Sequence, residues 1–233
     1  MTSPSAFRVD VAPHGETGAL LYEADQPSSS RHESAFILAH GAGAGHRSAF
    51  IVAFARAMAA LGVDVVTFNF LYTERGRPMP DRAPVLEACY AAVIGAVRDR
   101  VESAAHALFI GGKSMGGRIA TQVAAASSDL PVAGLALLGY PLHPPGRPEQ
   151  RRDAHLSAVG RPMLFVQGSR DVFGTPAELS PVVAKLNPSA VLHVVDGGDH
   201  SFKLPRADAS AQAAVYDAVQ RAVVEWMAAI IRT

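Results

Sequence analysis

Ala107-Leu108-Phe109-Ile110-Gly111-Gly112-Lys113-Ser114-Met115-Gly116-Gly117-Arg118 joins an apolar run to a helix-compatible run, with a serine at the junction. The order predicts a strand, a sharp turn and a helix. A turn that tight holds its apical residue in a strained backbone conformation, and the flanking glycines let the helix lie close against the strand. The Ser114 hydroxyl is then held above the end of a sheet, where the first N–H groups of the helix point at whatever reacts there. That suggests a nucleophile. Gly-Lys-Ser also closes a phosphate-binding loop, but that loop needs a glycine where this chain has Ala107, and Leu108 to Gly111 read as strand. An ordinary tight turn with an exposed serine fits the local pattern as well, so the rest of the chain has to decide.

Outward from this stretch, strands alternate with helices. Before it, Phe36–Ala39 is an apolar run ending at His40-Gly41. Ala49–Leu61 reads as a helix capped by Ser48, Val63–Phe68 as a strand, and Asp81–Glu102 as a long helix capped by Asp81 with Pro84 in its first turn. After it come strands at Val132–Leu138, Pro162–Val166 and Ala190–Val195. A short helix is expected at Arg151–Val159, with longer ones at Ala177–Leu186 and Ala211–Ile231. Phe7–Val11 and Ala19–Tyr22 suggest antiparallel edge strands, and Gln26–Ser34 a hairpin or surface loop. The alternation predicts an α/β protein: one domain over residues 1–233, a mostly parallel twisted sheet, and helices on both faces. Ligands of such sheets bind beyond the carboxyl ends of the strands.

A serine hydroxyl needs a base, an acid to orient that base, and donors for the developing oxyanion. Strand ends supply a candidate for each. Asp171 follows Phe165-Val166-Gln167-Gly168, and His200 follows Val195-Asp196-Gly197-Gly198. Taken alone, Asp171 reads as a turn aspartate and His200 as one histidine among nine. The turn His40-Gly41-Ala42-Gly43-Ala44-Gly45-His46 offers the Ala42 N–H, or that of Gly41, to pair with the Met115 N–H. It is not a dinucleotide loop, because the third glycine of that fingerprint falls at His46. The order Ser–Asp–His suits an acyl-transfer triad. Ser114 to Asp171 leaves room for two βα units, and Asp171 to His200 for one.

Lysine plus arginine and aspartate plus glutamate are equal at 21 each, so no electrostatic pull toward nucleic acid or anionic membrane is expected. The lone cysteine, Cys89, lies on an apolar helical stripe and reads as a buried inert thiol. No run approaches the length of a membrane span, and the N-terminus has no signal-like charged head and apolar core. A cytoplasmic location is the expectation. No cofactor and no metal is expected, and nothing in the sequence sets the oligomeric state.

The chain resembles α/β-hydrolase-fold proteins of the dienelactone-hydrolase-like kind. More closely, it resembles a small group of bacterial hydrolase-like proteins related to an animal testis-expressed protein and to a hydrolase-like domain of a chromatin acetyltransferase complex. The resemblance rests on His40 to Gly43, Phe68-Asn69-Phe70 with Tyr72, Gly76-Arg77-Pro78 to Asp81-Arg82, Gly112 to Arg118, Gly139 to Gly146, Gly168 to Asp171 and Asp199-His200-Ser201. Leu71 stands where a proline is expected. The resemblance implies a serine hydrolase acting on ester or related acyl bonds of a small substrate; the alternative is a non-catalytic binding or scaffold domain. Only a short segment separates Gly139 from Pro162, so a small lid or none is expected. Tyr72, His143 and Phe173 are expected to line the pocket, and Arg77 to face an anionic substrate, although Arg77 reads equally well as a solvated cation.

Overall fold

The computed structural model describes residues 3–25 and 33–232. One eight-stranded sheet runs through the molecule. It comprises β1 (Ser5–Asp10), β2 (Glu16–Tyr22), β3 (Ser34–Ala39), β4 (Asp64–Phe68), β5 (Ala107–Lys113), β6 (Gly134–Leu138), β7 (Met163–Gly168) and β8 (Val191–Val195). The order across the sheet is β1-β2-β4-β3-β5-β6-β7-β8. β1 pairs antiparallel with β2, and β2 antiparallel with β4; every other pairing is parallel.

The helices are α1 (Ala49–Ala60), α2 (Leu71–Glu74), α3 (Ala83–Arg100), α4 (Ser103–His106), α5 (Met115–Ala126), α6 (Pro176–Val183) and α7 (Ala209–Ile231). The apolar faces of α3, α5 and α6 cover one side of the sheet, and those of α1 and α7 cover the other. Successive strand residues alternate between the two layers: Ile37 packs with the first group and Phe36 and Leu38 with the second. β3, β5 and β6 are buried along their whole length, which is why, apart from the terminal Ser34 and Lys113, they do not alternate apolar with polar residues. Each fully buried Phe, Leu or Ile there contributes about 1.5–3 kcal/mol.

Several boundaries differ from the expected ones for identifiable reasons. α3 begins at Ala83 with Arg82 in the cap position and no side-chain cap; Asp81 instead pairs with the Arg77 guanidinium through Oδ1. No helix forms over 151–159; a single 3-10 turn at Leu156–Ala158 is all the segment contains. The Arg152 N–H bonds the Leu142 carbonyl and the Arg152 carbonyl accepts the Tyr140 hydroxyl, which ties this residue to the loop after β6. α6 starts one residue early, on a capping box in which Thr175 and Glu178 satisfy each other's backbone N–H. Asp208 caps α7 through the Ala211 N–H. The loop expected at Gln26–Ser34 lies mostly outside the described residues, and Ser34 itself opens β3. Between β6 and β7, therefore, no lid domain rises over the strand ends.

Candidate active site

Ser114 stands between β5 and α5 with φ 52° and ψ −115°, a conformation costly for any residue with a side chain. Close packing holds it there. A Cβ on Gly116 would stand 2.6 Å from the Ala39 carbonyl oxygen and 2.7 Å from that of His40. One on Gly112 would collide with the Ala39 carbonyl. Only glycine lets α5 begin this near β3. Tyr90, fully buried on α3, supports the turn from beneath: its hydroxyl bonds the Gly111 carbonyl (2.7 Å) and N–H (2.9 Å).

The loops after β7 and β8 bring two further groups to the serine. His200 Nε2 lies 2.9 Å from Ser114 Oγ, and His200 Nδ1 lies 2.7 Å from Asp171 Oδ2. Asp171 is buried, and donors surround it. The Phe173 N–H reaches Oδ1 at 2.8 Å, and Gln167 Nε2 reaches Oδ2 at 2.8 Å. These donors fix the carboxylate so that Oδ2 faces the imidazole Nδ1. The Phe173 ring lies against the imidazole with centroids 4.3 Å apart. A Cβ on Gly168 would run into the carbonyls of Gly198 and Asp199, so glycine lets the β8 loop lie against the end of β7. Asp199 Oδ1 fixes that loop by accepting the Ser201 and Lys203 N–H groups.

The turn after β3 is anchored by His40, which is fully buried. Its Nε2 accepts the Phe70 N–H (3.2 Å), so the proton sits on Nδ1 and is donated to the Gly41 carbonyl (2.8 Å). Burial pulls its pKa down to about 4, so the ring is neutral and has no proton-transfer work at Ser114. Gly41 lies against Ser114: an added Cβ would sit 3.5 Å from the serine Cβ. Ala42 and Met115 face the same cavity as Ser114. The Met115 N–H, in the first turn of α5, has no intrahelical acceptor.

That cavity measures about 610 Å³, a size suited to a small molecule. Phe173 and His200 line it with Ser114, as do Lys113, Arg118, Asp81 and Arg152. Tyr72, Arg77 and His143 are absent from its walls, which corrects their expected place. The short helix α2, not foreseen from the sequence, buries Tyr72 beside His40 with ring centroids 6.1 Å apart. Tyr72 and Arg77 border a larger cavity, about 890 Å³, on the β1–β2 side of the His40–Ser48 turn; it does not include Ser114. His143 is buried, with Nδ1 at the Pro144 carbonyl (2.9 Å) and Nε2 at Glu178 (3.1 Å). Sequence reasoning missed Gln167 and Arg152. A glutamine ending the apolar run Met163 to Val166 was the available signal for the first; nothing local marked the second.

Among the described residues, no cluster of three or more His, Cys, Asp or Glu is arranged to hold a metal, and no helix is long and apolar enough to cross a membrane. The fold is shared with several solved structures. A serine hydrolase from Xanthomonas campestris described as lacking a lid, XC6422, is 22% identical, covers 97% of this chain and 96% of its own, and superposes with a TM-score of 0.74. Est1E from Butyrivibrio proteoclasticus is 15% identical with complete coverage of both chains and a TM-score of 0.75. Dienelactone hydrolase from Anabaena variabilis is 18% identical over 96% of this chain and 99% of its own, with a TM-score of 0.72. A family model described as "Alpha/beta hydrolase domain" matches residues 32–228, which is most of the sequence. With its parallel sheet, strained serine turn and minimal lid, the chain belongs to the alpha/beta hydrolase domain family.

Proposed function

We propose that this protein is a serine hydrolase that cleaves ester or related acyl bonds of a small substrate. The observation that carries the reading is the unbroken line Ser114 Oγ to His200 Nε2 to Asp171, at 2.9 and 2.7 Å. His200 takes the Ser114 proton as the oxygen attacks the carbonyl carbon. Asp171 fixes the imidazole tautomer and stabilises its protonated form. The Met115 N–H and that of Ala42, or of Gly41, hold the oxyanion of the tetrahedral intermediate. His200 then gives its proton to the leaving group, and an acyl ester remains on Ser114. Water, deprotonated by the same imidazole, repeats the attack and frees the acid. None of these steps calls on a cofactor.

The carboxylesterase or dienelactone-hydrolase-like subtype and the likeness to the narrower bacterial group belong to the same proposal. They are supported by the open cavity and by the runs Gly76 to Arg82 and Gly139 to Gly146. The partner in this reading is a small acyl substrate. The test is labelling by a fluorophosphonate probe together with 4-nitrophenyl acetate hydrolysis. Wild type should label, and Ser114→Ala should lose both labelling and about 10⁴-fold or more of the rate. A folded wild-type protein that does not label would favour the non-catalytic binding or scaffold role.

A further inference from the structure

The walls of the Ser114 cavity carry a surplus of positive charge. Lys113, Arg118 and Arg152 line it; among the described lining residues the one carboxylate is Asp81, whose Oδ1 is held by Arg77 while Oδ2 has no hydrogen-bond partner. Arg75 and Arg77 are engaged by the His14 carbonyl and by Asp81, respectively. Arg118 follows Ser114 by one turn of α5, at about 1.5 Å rise per residue, and so extends along the same face some 6 Å away. Its Nε is buried with no hydrogen-bond partner, and one terminal nitrogen makes only a long contact with Gln122 (3.4 Å). Arg152 comes from the segment between β6 and β7, on backbone pinned by Leu142 and Tyr140.

Among the described residues neither guanidinium has an ion-pair partner. Burial, and after it the Arg152 charge, weakens Arg118's hold on its proton, while Tyr140 and Glu87 act in the opposite direction. Two neighbouring guanidinium groups with no ion-pair partner, offset only by the more distant Glu87, are costly in a half-buried wall, and an oxyanion is the ligand their fork geometry fits.

Resting on the hydrolase reading, we propose that Arg118 and Arg152 form a subsite for a carboxylate or phosphate of the substrate, about one helical turn from Ser114 Oγ. The substrate class is then a small ester bearing an anion a few bonds from its scissile carbonyl, not a neutral acyl ester.

Two matched pairs test this and separate the two anions. They are 4-nitrophenyl hydrogen adipate against 4-nitrophenyl hexanoate, and 2-acetoxyethyl phosphate against 2-methoxyethyl acetate, each compared by kcat/KM at low salt. The anionic member of at least one pair should be preferred by about tenfold or more, and Arg118→Gln and Arg152→Gln should each remove about tenfold of that preference. Circular dichroism melts establish that each variant is folded. Calorimetry on Ser114→Ala with monomethyl adipate and 2-acetoxyethyl phosphate reads the subsite without turnover. Binding there that both arginine substitutions weaken supports the subsite even if wild type cleaves no ester, a result that would sink only the hydrolase reading. Equal cleavage within both pairs together with no binding, or a preference that survives both substitutions, overturns the subsite.

Discussion

His40 ties the packing of the sheet to the turn that faces Ser114, and its titration tests that link quantitatively. The imidazole is fully buried and neutral, accepting the Phe70 N–H on Nε2 and donating from Nδ1 to the Gly41 carbonyl. A second proton on Nε2 would place a charge in an apolar site and set it against the Phe70 N–H. Desolvation is therefore the main cause of the fall from 6.5 to about 4; the Gly41 bond opposes it and His46 adds to it. Between those two values the unfolded chain takes up a proton that the folded chain refuses. The stability tied to neutral His40 is thus complete above about pH 6.5 and is lost as pH falls toward about 4. At about 1.4 kcal/mol per pH unit, the window is worth roughly 3 kcal/mol.

Urea unfolding of wild type and His40→Gln at several pH values measures this directly. The variant should be the less stable at neutral pH, because two buried bonds are lost or lengthened. The gap should then close by roughly 3 kcal/mol as pH falls through the window. His46 and His155, whose pKa values burial also lowers, contribute to both curves and largely cancel in the difference. Parallel stability curves for the two proteins would refute the argument that buried, neutral His40 holds the turn.

Three further outcomes are expected. Gly116→Ala forces a methyl group into the Ala39 and His40 carbonyls and should cost about 1–3 kcal/mol or more, with reduced fluorophosphonate labelling; an unchanged Tm would contradict the close approach of α5 to β3. Gln167→Leu removes the donor to Asp171 Oδ2 and Gly174 and the acceptor for the Tyr140 N–H. Urea melts should show a loss of about 1–3 kcal/mol, and a variant as stable as wild type would deny Gln167 its place in the network. Burial pushes the Cys89 thiol up to about 12, so a disulfide-exchange reagent should leave it untouched in the folded protein and titrate one thiol in urea; rapid native reaction would contradict its burial.

The sheet is largely legible in the sequence, because β3, β5 and β6 are buried on both faces and so carry apolar runs without alternation. The two antiparallel strands at the start were legible more faintly, since β1 is mostly exposed along its edge. Helix ends are less legible. Asp81 pairs with Arg77 instead of capping α3, and the Arg152 peptide bonds Leu142 and Tyr140 in a segment that forms only a 3-10 turn. The pocket was read worst. Tyr72 and Arg77 follow a strand end, as the catalytic candidates do, yet the single turn of α2 carries them to the other side of the His40–Ser48 turn.

What the sequence determined by itself is local. The apolar periodicity set the alternation of strand and helix, and the glycines around Ser114 set the tight turn, because both depend on neighbours within a few residues. Tertiary structure alone decided which strand ends meet. Ser114 and His200 are 86 residues apart, and strand order and loop packing bring Oγ within 2.9 Å of Nε2. The same holds for charge. Whether an arginine is paired, solvated or left facing a cavity depends on groups remote in sequence, which is why Arg77 was foreseen at the site and Arg118 and Arg152 are the ones found there.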